Sequence, residues 1–454
     1  MKIKLPILTD KLLKGSFQFY ACCKKQALIK CVVAALFLTL SFSCNHHLSK
    51  KEVTTQIKKE VTAKDILGNP AYLAISYGGY RQNSRDIQPT VEQLKADMKM
   101  LSAMGIKILR TYNVQLKQAA NVLEAIHQLK KEDPTYEMYV MLGAWIDCEN
   151  AWTTLPPNHD NENLEGNTAE IQRAVDLANK YPDIVKIIAV GNEAMVKWAA
   201  SYFVQPWVIL KWVNHLQELK QKGHLSKDLW ITSSDNFASW GGGGNEYHVE
   251  DLTKLIKAVD YISLHTYPMH DTHYNPNFWG TLEAEKELSD IEKIERAMVR
   301  ARDYAINQYQ NTAAYIKGLG IEKPIHIGET GWATSSNGFY GENGSKATDE
   351  YKEGLYYSLM REWTNKMGIA CFYFEAFDEN WKDAANPGGS ENYFGLFTIE
   401  GQAKYALWDL VDKGVFKGLS RSKNPVTKTY KGDKEALLKA VSMPPLKSVL
   451  VGEH

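Results

Sequence analysis

Between residues 65 and 420 the chain switches eight times from a short apolar run to a segment with helical apolar spacing. The runs cover 72–75, 106–109, 138–142, 184–190, 229–232, 261–264, 325–327 and 369–374. The segments between and after them cover 91–104, 119–129, 168–179, 207–219, 252–259, 291–316, 351–363 and 405–411; in the first, Val91, Leu94, Met98 and Leu101 recur at helical spacing. Short strand-like runs alternating with amphipathic helices imply parallel strands joined by crossover helices. Eight such units, with no glycine-rich dinucleotide fingerprint after the first, predict an α/β fold closed as a single (β/α)8 TIM barrel, not an open doubly wound sheet. The sequence shows no second domain and no internal repeat. It gives the extension 421–454 no clear place in the barrel.

Composition narrows the function. The 454 residues carry 53 basic and 53 acidic side chains, so the formal net charge is zero and no basic run marks a nucleic-acid partner. Hydrophobic residues at 44% and charged residues at 23% exclude a mainly disordered chain. Twelve Trp and 24 Tyr are many; most are expected to pack the core, while rings on a surface cleft can stack on sugar faces. Cys148 and Cys371 are the only body cysteines, which allows one bridge or two buried thiols. No HExxH or CxxC spacing is present, and no cofactor or metal is expected.

The N-terminus reads as an export signal. Lys24, Lys25 and Lys30 precede the run CVVAALFLTLSF, whose 12 residues are too few to span a bilayer as a helix and suit a signal-peptide core. Ser41-Phe42-Ser43-Cys44 resembles a bacterial lipoprotein cleavage box, in which Cys44 carries the lipid; an uncleaved anchor is the alternative. Residues 1–43 are thus a lipoprotein-type leader, 44–64 a polar, Lys-rich tether, and 65–420 the catalytic barrel. The expected location is the cell envelope, membrane-anchored on the periplasmic or cell-surface side, as a monomer.

Barrel enzymes build their sites where strands end. Here the fourth run ends in Gly191-Asn192-Glu193 and the seventh in Gly328-Glu329-Thr330-Gly331-Trp332. The sixth ends in His265-Thr266-Tyr267-Pro268, and the eighth runs into Glu375-Ala376-Phe377-Asp378-Glu379-Asn380-Trp381-Lys382. A lone Glu after a strand is most often a solvated loop charge. Two on one face, after buried strands, can be pushed to different pKa values and supply an acid and a nucleophile together. Retaining glycoside hydrolysis needs such a pair.

The stretch IHIGETGWATS, from Ile325 to Ser335, resembles the nucleophile signature of glycoside hydrolase family 17, the β-1,3-glucanase family. Val190-Gly191-Asn192-Glu193, Tyr77-Gly78, Arg110-Thr111-Tyr112, the Phe377–Lys382 stretch and Tyr393-Phe394-Gly395-Leu396-Phe397 match the family pattern in order, over about residues 72–410. The sequence departs at Ala333 and Asn380, where the family often has Pro, and in the wide spacing from Lys382 to Glu391. The resemblance implies Glu329 as nucleophile, Glu193 as acid and then base with a raised pKa, Asn192 on the sugar 2-hydroxyl, and Tyr267 donating to Glu329. It also implies an auxiliary cluster of Glu379, Lys382 and Glu391, and a cleft lined by Tyr112, Trp145 and Trp381. Arg110 sits in the barrel mouth and can pair with Glu193 or Glu329.

The implied activity is retaining hydrolysis of internal β-1,3-glucosidic bonds, on a β-glucan polysaccharide or oligosaccharide such as laminarin. A transglycosylase would use the same residues. A non-catalytic glycan-binding surface lipoprotein would not need both Glu193 and Glu329. A lyase or aldolase would need a buried amine or a carboxylate triad, and only Lys107 and Lys186 lie within the strand runs.

Overall fold

The computed structural model describes residues 60–450. The leader, Cys44 and most of the tether lie outside them. Eight parallel strands close a barrel: β1 (Leu73–Ser76), β2 (Ile106–Arg110), β3 (Tyr139–Ala144), β4 (Val185–Asn192), β5 (Trp230–Asn236), β6 (Ile262–His265), β7 (Ile325–Gly331) and β8 (Cys371–Phe374). Closure is made by β1, in which Ala74 pairs with Ile108 of β2 on one side and Phe372 of β8 on the other.

Strand alternation sorts the side chains into two apolar layers. Ala74, Ile108, Met141, Ile187 and Phe372 belong to one cluster, and their neighbours Ile75, Leu109, Leu142, Ile188 and Tyr373 to the other. The second cluster holds the surrounding helices α1 (Val91–Ala103), α2 (Lys117–Glu132), α3 (Leu164–Lys180), α4 (Pro206–Gln221), α5 (Glu250–Ala258), α6 (Asp290–Gly318), α7 (Glu350–Met367) and α8 (Trp408–Asp412). Local sequence fixes where several begin and end. Thr90 and Gln93 exchange hydrogen bonds in a capping box at the start of α1, and Ser289 and Glu292 do so at the start of α6. Gly368 ends α7 in the left-handed conformation that glycine adopts without steric cost.

The structure extends one expectation and settles two that the sequence left open. A short helix, Ala63–Ile66, buries Ala63 and Ile66 in the same cluster as Ala74 and Phe372, so the end of the presumed tether is part of the barrel. Cys148 and Cys371 are separate buried thiols, without a bridge. The C-terminal segment packs on the barrel through 450. Fully buried Arg421 ion-pairs with Asp97 of α1 at 3.2 Å, and Ser442 accepts from Lys352 of α7 at 2.6 Å. These contacts join residues 90 and 324 positions apart, which no local pattern reveals.

Between β3 and α3 the chain makes a hairpin of Cys148–Glu149 against Asn158–Glu162. It stands at the C-terminal rim of the strands, the face that carries the site.

Candidate active site

Glu193 follows the last residue of β4, and Glu329 lies within β7. The intervening strands fix their relation. Asn192 is in register with Ser234 of β5, and His265 of β6 is in register with Glu329. Glu193 adopts φ 46°, in the left-handed region that a non-glycine residue occupies at a cost. The surroundings hold it there. Its amide donates to the Ser234 carbonyl at 2.9 Å, and the Met195 amide donates to the buried Asp235 carboxylate at 2.7 Å.

Glu329 is gripped by three donors. Arg110 Nη1, at the end of β2, reaches Oε2 at 2.5 Å, Tyr112 donates to the same oxygen at 2.9 Å, and Tyr267 donates to Oε1 at 2.6 Å. The same guanidinium donates through Nη2 to Asn192 Oδ1 at 2.5 Å. One arginine therefore ties the residue beside Glu193 to Glu329. Of the two partners allowed by sequence, Arg110 chooses Glu329.

The electrostatic result is asymmetric. Burial, then the charge of Glu329, pushes the Glu193 carboxyl from its usual 4.5 up to about 8. Burial would also raise Glu329, but Arg110 and the Tyr267 and Tyr112 hydroxyls overcome it and hold the carboxyl below its usual range. At neutral pH the site thus holds one protonated and one ionised glutamate. The Glu193 side chain keeps 14% of its surface open to solvent, enough to be reached from the mouth.

His265, given no role by sequence reasoning, touches Glu193. Its Nδ1 lies 3.0 Å from Glu193 Oε1, and its Nε2 lies 2.7 Å from Ser234 Oγ, which in turn lies 2.8 Å from Ser263 Oγ. Burial lowers this imidazole to about 4, so it is neutral and the contact is a hydrogen bond, not an ion pair. The two serines exist side by side only because residue 328 is glycine. A Cβ there would lie 2.0 Å from Ser263 Oγ and 2.6 Å from Ser234 Oγ.

The residues after β8 differ in detail from the expected cluster. Lys382 makes its closest ion pair with Glu375, at 2.6 Å, and lies 3.6 Å from Glu379. Glu391 pairs instead with His270 at 3.5 Å. Glu375 stands at the end of β8, and the sequence gives it no role. It is buried, and burial lifts its carboxyl well above the usual range against the pull of Lys382. Lys382 also sits 3.9 Å over the Phe374 ring, which meets Tyr112 and Tyr267 edge-on. Trp381 donates to Glu379 at 2.9 Å and is covered by Arg85 at 4.4 Å. Trp145, at the end of β3, packs 5.0 Å from Tyr202. A motif could have found His265, since it stands two residues before Tyr267 at a strand end; nothing local marks its contact with Glu193.

A parallel barrel that presents a protonated and an ionised carboxyl at the ends of β4 and β7 has the equipment for acid and nucleophile chemistry on a glycosidic bond. The BtgE/BtgC glycoside hydrolase domain matches residues 74–395, and the chain belongs to that family. This agrees with the family 17 resemblance of its strand-end motifs. The crystal structure of an endo-laminarinase from Formosa Hel1_33_131 is 70% identical, with a TM-score of 0.84, over 85% of this chain and 98% of that one. A putative glucan endo-1,3-beta-glucosidase btgC of Aspergillus niger is 23% identical over 312 residues, 67% of this chain but 37% of its own length. The chain thus spans little more than a third of that relative. The glycoside hydrolase family 17 beta-1,3-glucanosyltransferase of Rhizomucor miehei, 18% identical with a TM-score of 0.51, covers 74% of this chain and 96% of its own and shares the fold.

Proposed function

We propose that this protein cleaves internal β-1,3-glucosidic bonds of β-glucans such as laminarin, with retention, through a glycosyl-enzyme. The observation that carries the proposal is the pocket's asymmetry: Arg110, Tyr112 and Tyr267 all donate to Glu329, while Arg110 reaches only Asn192 beside Glu193, which favours a charged Glu329 and a protonated Glu193. Glu329 attacks the anomeric carbon as the bond to the leaving oxygen breaks, and Glu193 delivers its proton to that oxygen. Ionised Glu193 then takes a proton from water, whose oxygen attacks the anomeric carbon and frees Glu329. Asn192, oriented by Arg110, faces the sugar 2-hydroxyl. Tyr267, Tyr112 and Arg110 hold the nucleophile, and Lys382 with Glu375 and Glu379 supports the wall behind Phe374. Glu391 acts with His270, and Trp381 lines the cleft.

His265 is a positioning residue. We assign Nδ1–H as the donor to Glu193 Oε1, 3.0 Å away, with Nε2 accepting from Ser234 Oγ, 2.7 Å away. The acidic proton of Glu193 is then left on its other oxygen, free to face the substrate.

Digestion of β-1,3-, β-1,4- and mixed-linkage glucans with product sizing tests the function. Laminarin should yield a ladder of intermediate oligosaccharides of initial β configuration. Glucose alone would indicate action at chain ends, products longer than the input would indicate transfer, and intact laminarin would overturn the proposal.

We also propose that the protein works as a monomer tethered to the envelope through a lipid on Cys44, supported by the charged, apolar and small-residue order of the leader. Among the described residues no helix is long and apolar enough to cross a membrane. Cys44→Ser should move the protein from the membrane to the soluble fraction, and retention in the membrane would refute lipidation.

A further inference from the structure

The loops after β3 and β4 bring together a cluster of three aromatic rings that the chemistry above does not use. Trp145 packs 5.0 Å from Tyr202, Trp152 stacks on Tyr202 at 5.2 Å with planes 23° apart, and the two tryptophans lie 6.4 Å from each other. Tyr202 lies in the loop that follows Glu193, and its hydroxyl is close enough to feel the charges of Glu193, Asp235 and Glu329. At the outer end Trp152 is 63% exposed. The cluster therefore reaches from the loop after Glu193 to open solvent.

An indole left in water forgoes the free energy of burying its large apolar faces. Here it is also held in place. Trp152 has φ 61° and Asn150 φ 64°, both in the left-handed region, on the turn of the Cys148–Glu162 excursion. The Tyr202 carbonyl accepts from the Cys148 amide at 3.1 Å, which fastens that excursion to the loop after Glu193. Costly backbone conformations that hold a rigid exposed ring mark a surface waiting for a flat apolar face. The C–H face of a glucopyranosyl unit is such a face, and a polymer threaded past Glu193 would bring one there.

We propose that Trp152 and Tyr202 form an outer glucosyl-binding subsite, which engages a sugar unit of a long β-1,3-glucan beyond those at the reacting bond. The inference rests on the functional reading above and extends it to chain-length selectivity. Short oligosaccharides would end before reaching Trp152, and longer ones would gain its stacking.

The test measures kcat/KM on laminaritriose and laminarihexaose for the full chain and for Trp152→Ala, Trp152→Phe and Trp198→Ala. Trp198 is an equally exposed tryptophan, 64%, outside the cluster. Trp152→Ala should cut the hexaose-to-triose ratio about tenfold, the scale of one lost aromatic stack, while Trp152→Phe recovers most of it. Trp198→Ala should leave the ratio within about twofold of the original. An unchanged ratio in Trp152→Ala, with wild-type cleavage intact, would overturn the subsite. If the wild type cleaves neither oligosaccharide, the functional reading fails by itself. Laminarihexaose affinity, read by tryptophan fluorescence on the same samples, then decides the subsite separately: weaker binding to Trp152→Ala supports it, and equal binding ends it. A melting curve for each variant distinguishes a lost contact from a lost fold.

Discussion

Tyr267→Phe removes one hydroxyl and leaves the ring where it stacks on His270 at 5.0 Å and meets Phe374 and Phe394 edge-on. What goes is a 2.6 Å hydrogen bond to Glu329 Oε1, while Arg110 and Tyr112 keep their hold on Oε2. A hydrogen bond to a charged group is worth ~1.5–3 kcal/mol, so kcat should fall about ten- to a hundredfold. The pH profile supplies the sharper readout. Glu329 must be ionised to attack, and its carboxyl is held below the usual range partly by this hydroxyl. Removing a donor to the ionised form raises the carboxyl, so the acid limb of kcat/KM moves to higher pH. The basic limb, set by Glu193 near 8, is less affected, and the bell narrows from its acid side. Initial rates of reducing-end release from laminarin, taken across about pH 3–10, would show both limbs. An acid limb that stays in place while the rate falls would refute the assignment of Tyr267 as the donor that keeps Glu329 charged.

Two further substitutions address the acid. Glu193→Gln should lower turnover on laminarin at least ~10³-fold, with much smaller loss on aryl glycosides whose leaving groups need no proton, and added azide should speed the second step; equal loss on both substrates would exclude Glu193 as the acid. The same variant should be the more thermostable protein in alkali. A carboxyl raised from 4.5 to about 8 stabilises the fold relatively below its usual value, and that contribution is lost as pH climbs through 8, whereas Gln does not titrate; melting temperatures at acid and alkaline pH check this, and a gap that does not widen with pH would count against the raised value. Gly328→Ala would force a Cβ into Ser263 and Ser234 and so loosen the support of His265. Its basic limb should move to higher pH as the donor to ionised Glu193 is lost, and a slower enzyme with an unmoved basic limb would show that His265 does not act on Glu193.

The barrel and its two carboxylates were legible because both depend on local pattern. Parallel strands buried on two faces read as apolar runs, and the chemistry follows them immediately, as at Asn192-Glu193 and Glu329. What sequence reasoning missed depends on contacts made by closure. His265 reaches Glu193 across 72 positions, and Arg421 reaches Asp97 across 324. The family resemblance groups Lys382 with Glu379 and Glu391. The first partner of Lys382 proved to be Glu375, because the chain after β8 folds back on its own strand end. Trp152 carries no signal at all in sequence, since exposure of a tryptophan follows from the turn that displays it.

The division of labour between two chemically identical residues follows from where one arginine stands. Burial acts on Glu193 and Glu329 in the same direction, and a pocket with no further asymmetry would leave two carboxyls sharing a proton without preference. Arg110 ends β2 and its Nη1 meets Glu329 directly, whereas its Nη2 meets Asn192, the neutral neighbour of Glu193. Both tyrosine hydroxyls also fall on Glu329, while Glu193 receives a neutral imidazole. The positive charge and two of the three remaining donors are thus spent on one carboxylate, which stays charged, and the proton is driven to the other. The assignment of nucleophile and acid is therefore set by the order of side chains around the rim, and it would reverse only if the guanidinium were moved to the β4 side.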